Sequence, residues 1–209
     1  AIDRAVALGA QTVGLGALTS SVTSGGALFR DRSDIGVTNG NALTAGMTVE
    51  GIVRLIAQYR LQRPRIALVG ATGSVGGAVA RLLARRGVSD HLTLIARNST
   101  RLSALAAELQ TADPALALTT ATTPAAAVQA DLVVLLTSAA DALLRPEHLK
   151  PGAIVLDDTQ PRNTQPTLLS QRPDIRIIDG GIVSVPGMRL HGGAIGLPRG
   201  QAYACLAET

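Results

Sequence analysis

The stretch Gly70-Ala71-Thr72-Gly73-Ser74-Val75-Gly76 decides the fold of this chain of 209 residues. It follows a short apolar run at 66–69 and opens a helical pattern that stops at Gly87. A glycine pattern placed between a strand and a helix is typical of the phosphate-binding turn of a dinucleotide site. One glycine permits the tight turn, the next lets the backbone approach a pyrophosphate, and the last lets the helix pack closely. The residues expected to bind the cofactor are Gly70, Thr72, Gly73, Ser74, Val75 and Gly76.

Short apolar runs and helical patterns alternate through the rest of this region. The predicted strands are 66–69, 91–96, 116–120, 132–137, 154–157 and 175–178, and the predicted helices are 74–86, 100–110 and 124–129. Continuously apolar strands suit a parallel sheet that is covered on both faces. The pattern therefore predicts an α/β fold, a Rossmann-type doubly wound parallel sheet, with Asn98 or Ser99 as the cap of the second helix.

The first 64 residues have a different character. A strand is predicted at 12–15, residues 19–41 are rich in Gly, Ser, Thr and Asn, and Thr44 is predicted to cap a long helix that reaches Leu61. We expect a small N-terminal substrate-side segment with a bridging helix at 1–64, an NADP-binding Rossmann domain at 65–182 and a C-terminal segment at 183–209. The absence of an initiator Met suggests a piece of a longer protein.

Composition and charge narrow the class of function. The net charge is +4, but the basic residues are dispersed and the aromatic content is 1%, so no nucleic-acid partner is expected. The single cysteine excludes an internal disulfide, and no Cys/His spacing indicates a metal site. The stretch 5–22 lacks the sustained bulky run of a membrane span. We expect a cytoplasmic enzyme, with its oligomeric state left open.

The end of the second predicted strand indicates which dinucleotide is bound. An NAD enzyme usually places Asp or Glu there to hold the ribose 2′-hydroxyl, whereas this chain has Ala96-Arg97-Asn98-Ser99. Arg97 can pair with a 2′-phosphate, and Asn98 can add a hydrogen bond. NADPH is therefore favoured over NADH, and Thr137, at the end of the fourth predicted strand, joins the cofactor set. The alternative is that Arg97 is only a surface residue.

The lone cysteine, Cys205, lies in a short segment at 201–208 that is predicted to be helical. A thiol in the first turns of a helix lies near the positive end of the helix dipole, which favours the thiolate that a nucleophile needs. The residues alone favour a different interpretation, a buried structural cysteine, because free cysteines commonly lie in cores.

Five stretches of the chain resemble the long-chain fatty acyl-ACP reductases, the aldehyde-forming enzymes of cyanobacterial alkane synthesis. They are residues 14–20, 38–45, 70–76, 94–98 with 101–102, and 201–208. The resemblance implies that Cys205 is a nucleophile that takes an acyl group from an acyl carrier protein or CoA thioester, and that NADPH then reduces the acyl-enzyme to an aldehyde. The implied substrate-side residues, which local capping and turn roles explain equally well, are Thr19, Ser20, Asn41 and Thr44.

The chain also departs from that family. Ser184 and Val185 stand where the family has an acidic residue and a histidine, and His191 is either a replacement or, as we favour, a loop residue. Asp157-Asp158-Thr159 replaces an Asp-Gly-Gly turn. Two other functions therefore stay open. One is an NADP-dependent shikimate-like alcohol or carbonyl dehydrogenase without covalent catalysis, and the other is a non-catalytic NADP-binding module.

Overall fold

The computed structural model describes residues 1–16, 18–137, 144–189 and 195–209. The described strands are β1 Thr12–Gly14, β2 Gly36–Thr38, β3 Arg65–Val69, β4 His91–Ile95, β5 Ala117–Ala121, β6 Leu132–Leu135, β7 Ile154–Asp157, β8 Arg176–Asp179, β9 Ile182–Ser184 and β10 Gln201–Tyr203. The α-helices are α1 Ile2–Ala7, α2 Leu18–Val22, α3 Asn41–Gln58, α4 Ser74–Arg86, α5 Ser99–Ala112, α6 Thr167–Gln171 and α7 Ala204–Ala207, and 3₁₀ turns occupy Ala27–Phe29, Pro124–Gln129 and Pro146–His148.

The chain forms two compact units. The larger unit is Thr48–Gly180, and the smaller unit combines Ala1–Met47 with Gly181–Thr209. The N-terminal and C-terminal segments, which the sequence suggests are separate parts, thus share one unit. No helix among the described residues has both the length and the apolar character needed to cross a membrane.

The larger unit is built on a six-stranded sheet. Its strand order is β5-β4-β3-β6-β7-β8, and every neighbouring pair is parallel. This is the order 3-2-1-4-5-6 of the doubly wound dinucleotide-binding fold, so the predicted fold class is confirmed. The direction of sheet growth reverses between β3 and β6, and folds of this type bind their ligands at the carboxyl ends of the strands beside such a reversal.

The central strands are buried on both faces. Every residue at 66–69, 92–95, 132–135 and 154–157 is buried, and most are Val, Ile, Leu or Ala. The edge strand β5, by contrast, has no buried residue. Continuous burial explains why the central strands read as unbroken apolar runs in the sequence, whereas β5 gives a weak signal.

Several boundaries differ from those that the sequence predicts. α3 begins at Asn41, because the Asn39 side chain accepts the Asn41 N–H (3.0 Å) and starts the helix three residues before Thr44. The cap predicted at Thr44 is therefore wrong, and the helix ends at Gln58 rather than Leu61. The segment 124–129 is a 3₁₀ turn, and 201–208 is a strand followed by a single helical turn rather than a helix.

The smaller unit holds two short pairs of strands. β1 and β2 pair in parallel, and β9 and β10 pair antiparallel. An apolar cluster around Ile2, Leu15 and Ile35 packs near the first pair, and another around Val183, Ala202 and Ala204 packs near the second. The second cluster includes Ala204 and Ala207 and so helps to hold α7, which carries Cys205.

Candidate functional site

A cleft of about 480 Å³ opens at the carboxyl ends of β3, β4 and β6. Its volume lies within the range of roughly 300–1,000 Å³ that is usual for small-molecule sites. We call it the cofactor cleft, and its lining includes the turn between β3 and α4, the residues that follow β4 and β6, and part of the first turn of α5. The residues expected to bind the cofactor that line it are Gly70, Thr72, Gly73, Arg97, Asn98 and Thr137.

The glycine turn has no room for side chains at two of its positions. Gly70 has φ +96°, and a Cβ there would lie 2.6 Å from the carbonyl oxygen of Leu136. A Cβ on Gly76 would lie 2.2 Å from the carbonyl oxygen of Gly70, so α4 rests directly on the turn. Gly77 differs, since its Cβ would first meet the flexible guanidinium of Arg81. Gly76 therefore has the close-packing role that the sequence predicts for the last glycine of the turn.

The first turn of α4 faces the phosphate-binding position of the fold. Gly73 is the N-cap residue of this 13-residue helix, and the first N–H groups of a helix have no acceptor within it. Those N–H groups and the positive end of the dipole suit an anion. Ser74 lines a neighbouring cleft of about 470 Å³, whereas Val75 and Gly76 line neither cleft.

Two guanidinium groups lie at the β4 side of the cofactor cleft. Arg97 and Arg101 both line it, and within the described parts of the chain neither forms an ion pair. Asn98 caps α5 by accepting the Arg101 N–H (2.9 Å), which leaves its amide group as a donor. The sequence does not single out Arg101 as a cofactor residue, because it lies within the helical pattern of α5, three residues after the Asn98 cap.

These groups fit a pyridine dinucleotide. The turn that a Cβ would fill can receive the pyrophosphate, the α4 N-terminus can stabilise its charge, and the two guanidinium groups can pair with phosphate oxygens. A nicotinamide dinucleotide bound there supplies or accepts hydride, which is the chemistry that the cofactor brings to the chain.

Cys205 lies in the first turn of α7 and is exposed, so the expectation of a buried structural cysteine is wrong. Its backbone packs against the start of α3. Gly40 has φ +75°, and a Cβ there would lie 2.3 to 2.5 Å from the carbonyl oxygen, Cα and Cβ of Cys205. Only glycine at position 40 lets the two segments come this close.

Two of the other stretches that resemble the reductases, 14–20 and 38–45, contact the C-terminal segment that carries Cys205. The Glu208 carboxylate accepts the backbone N–H of Leu43 (2.6 Å) and the hydroxyl of Thr38, which joins 201–208 to 38–45. β1 also approaches the C-terminal segment, because a Cβ on Gly14 would lie 2.2 Å from Thr209 Oγ1. Residues far apart in the sequence thus form one local arrangement in the smaller unit.

The substrate-side candidates make local hydrogen bonds. The Thr19 hydroxyl donates to the Gly16 carbonyl (2.5 Å), and the Thr44 hydroxyl donates to the Gly40 carbonyl (2.8 Å). Asn41 is the first residue of α3, and the Ser20 carbonyl accepts the Gly25 N–H (2.7 Å). A substrate role for these four residues stays a prediction.

His191 lies outside the described residues. Among those that are described, no group of three or more His, Cys, Asp or Glu side chains could hold a metal ion.

The adjacent carboxylates after β7 have different surroundings. Asp157 is fully buried and accepts hydrogen bonds from the backbone and hydroxyl of Thr159 and Thr164 and from the Asn163 N–H. Asp158 accepts the hydroxyl of Thr48, while its buried Oδ1 has no partner among the described residues. Burial raises the pKa of Asp158 to about 6, with a smaller contribution from the charge of Asp157. The two carboxylates are therefore not a matched acid–base pair. This agrees with the expectation that successive side chains of an extended chain point to opposite faces.

Comparison with known protein families agrees with the fold and with the glycine turn. Residues 52–179 match the model described as shikimate / quinate 5-dehydrogenase. The chain belongs to the shikimate / quinate 5-dehydrogenase family. Its larger unit is therefore an NAD(P)-binding domain of the oxidoreductase type.

Two curated relatives of this chain are named for different activities. It is 31% identical over 215 aligned positions to the aminotransferase PigE of Serratia sp., covering 100% of this chain and 25% of that protein. It is 32% identical over 181 positions to the long-chain acyl-[acyl-carrier-protein] reductase of Synechococcus elongatus, covering 82% of this chain and 50% of the reductase. The chain thus spans half or less of the length of these curated relatives.

A solved structure supports the fold. A dipicolinate synthase subunit from Bacillus halodurans matches with a TM-score of 0.55 and 18% identity, covering 81% of this chain and 58% of that one. A likeness at this level of identity concerns the fold alone.

Proposed function

We propose that this member of the shikimate / quinate 5-dehydrogenase family reduces an acyl thioester to an aldehyde with NADPH, through an acyl group carried on Cys205. The observation that carries the proposal is the setting of Cys205: the thiol-bearing residue is exposed, and its backbone is fixed against Gly40. Similarity to an acyl-[acyl-carrier-protein] reductase over 82% of the chain supports it.

In the proposed reaction, a bond between the Cys205 sulfur and the acyl carbon forms and is later broken. Its sulfur, as thiolate, attacks the thioester carbonyl carbon, the bond to the carrier sulfur breaks, and the carrier leaves as a thiol after taking up a proton. NADPH, when bound, supplies the hydride for the carbonyl carbon. Cys205 then leaves as a thiolate while the aldehyde forms, and protonation of this sulfur returns the chain to its starting state. Because the carrier departs first, the acyl group stays attached to the protein until it is reduced.

The proposed preference for NADPH gives a test at Arg97 and Arg101. We expect Arg97→Asp to weaken NADPH binding by about 100-fold, because a charge-assisted pair worth roughly 1.5–3 kcal/mol is replaced by repulsion. Arg101→Ala should weaken NADPH by about tenfold and leave NADH unchanged, since NADH has no 2′-phosphate. Fluorescence titration with both dinucleotides measures the effect. Arg85→Ala, an exposed arginine of α4 outside both clefts, is the matched control. An unchanged preference in Arg97→Asp would remove Arg97 from the cofactor site.

The acyl-enzyme is tested directly by intact mass spectrometry. The chain is incubated with an acyl-ACP or an acyl-CoA, and we expect a mass increase of one acyl group that is lost when NADPH is added, with release of an aldehyde. Cys205→Ser should show neither the adduct nor the aldehyde, because the chain has no other cysteine. Absence of the adduct in a folded protein that binds NADPH would contradict the proposal.

A second candidate is an NADP-dependent alcohol or carbonyl dehydrogenase without covalent catalysis. The family match over residues 52–179 favours it. Under this function, carbonyl reduction survives Cys205→Ser and no acyl adduct forms. Cofactor binding without either activity would instead indicate a non-catalytic NADP-binding module.

A further inference from the structure

Glu208 connects the C-terminal segment of the smaller unit to its N-terminal segment. It follows α7, yet its carboxylate accepts the N–H of Leu43 (2.6 Å) and the hydroxyl of Thr38, residues 165 and 170 positions away. Leu43 is the third residue of the 18-residue helix α3, so its N–H has no acceptor within that helix. Glu208 therefore caps a long helix from the far side of the sequence.

The same contact helps to hold α7, together with the bond from the Ala204 N–H to the Gly181 carbonyl (2.8 Å). α7 is a single turn, Ala204–Ala207, and Cys205 lies three residues before Glu208. Gly40 approaches the backbone of Cys205, so this contact does not depend on the side-chain rotamer of Cys205. The Glu208 contacts and the Gly40 contact thus both hold the backbone that carries the Cys205 side chain.

Charge and burial make this restraint a firm one. Glu208 is half-buried, and its negative charge meets the positive end of α3. Thr38 is itself fixed, because its Oγ1 accepts the Gly40 N–H (3.1 Å), and Gly40 is the residue that Cys205 contacts. Thr38 thus connects Glu208 to Gly40 at the start of α3.

We propose that Glu208 is a positioning residue for Cys205, holding α7 against the start of α3 so that the sulfur meets the thioester carbonyl in a reactive geometry. This role rests on the proposed function. Glu208 acts through α7 and does not itself take part in the transfer.

The test compares acyl transfer with simple alkylation at Cys205. As this is the sole cysteine, the rate of modification by iodoacetamide reports on it alone and needs no substrate recognition. In Glu208→Ala we expect the acyl-transfer rate to fall by about 100-fold, as for a misplacement near 1 Å, while alkylation stays within about threefold because the thiol remains exposed. The KM for the thioester should change far less than kcat. Glu147→Ala, an exposed glutamate of the larger unit, is the matched control.

Two more variants separate positioning from loss of the fold. Glu208→Gln can still accept the Leu43 N–H and can donate to Thr38 Oγ1, so it should restore acyl transfer to within about tenfold of the original chain. Thr38→Val keeps the strand and removes one of the two Glu208 contacts together with the bond from the Gly40 N–H, so it should give an intermediate rate if Glu208→Ala fails to fold.

Each outcome has a definite meaning. Equal acyl transfer in the original chain and in the Glu208 and Thr38 variants would overturn the positioning role while the proposed function stands. A parallel fall in alkylation and acylation, without rescue by Glu208→Gln, would indicate a merely structural role and overturn it as well. No acyl adduct in the original chain would overturn the proposed function and this role together.

Discussion

Gly76→Ala is expected to lower the free energy of unfolding of the larger unit by about 3 kcal/mol, as for a strongly overpacked site. The added Cβ would lie 2.2 Å from the Gly70 carbonyl oxygen, which is backbone and cannot rotate away. Either α4 or the glycine turn must move. Since the turn is the expected pyrophosphate contact, dinucleotide affinity should fall by more than about tenfold, the equivalent of 1.4 kcal/mol.

The neighbouring glycine provides the matched control for this prediction. Gly77→Ala should be neutral or stabilising by about 0.5–1 kcal/mol, because alanine is the better helix former and the nearest atom, at 3.0 Å, belongs to the movable Arg81 guanidinium. Urea unfolding and NADPH titration of both variants measure the difference. Equal stability of the two variants would show that α4 does not rest on the turn as described.

Asp158→Asn is expected to stabilise the chain at pH 8 by up to about 3 kcal/mol, at 1.36 kcal/mol per pKa unit. Burial raises the pKa of Asp158 from its ordinary 3.8 to about 6, so the folded chain holds this proton more tightly than the unfolded chain. The stability that Asp158 contributes is therefore fully present below pH 3.8 and is lost as the pH rises to about 6. An amide imitates the protonated carboxyl, since it can donate to Thr48 Oγ1 without carrying charge.

Urea unfolding between pH 4 and pH 8 measures the stability of both chains, and their difference isolates Asp158 from the other carboxylates. We expect this difference to increase up to about pH 6 and then to stay constant. Asp157→Asn is the matched contrast. Its carboxylate accepts N–H and hydroxyl donors in a buried site, so an amide there should destabilise by about 3 kcal/mol. A pH-independent difference for Asp158→Asn would refute the raised pKa.

The elements that can be predicted from the sequence have local signals. The predicted bounds of α4 are the observed ones, Ser74–Arg86, because a buried strand, a glycine turn and a terminal glycine enclose it, and Gly87 adopts φ +59°. The central strands are predicted to within about two residues because they are buried on both faces. Of the two arginines that line the cofactor cleft, the sequence indicates only Arg97, which directly follows a strand. Arg101 gives no such signal, because it lies inside a helix that would exist without a ligand.

The rest depends on contacts that the local sequence does not contain. β9 and β10 are three residues each, and each is defined by its pairing with the other across a long connection. The start of α3 is stabilised in part by Glu208, from 165 residues away. The pKa of Asp158 depends on burial beside Thr48, more than 100 positions earlier in the chain. Such features arise only when distant segments meet.

The division into units also affects the order of events during synthesis. Thr48–Gly180 is continuous in the sequence and is synthesised before residues 181–209, and domains generally fold as units from the N-terminal side. The smaller unit needs segments from both sides of this insertion. Every segment of the nucleotide-binding sheet is therefore made before the last segment that surrounds the cysteine sulfur.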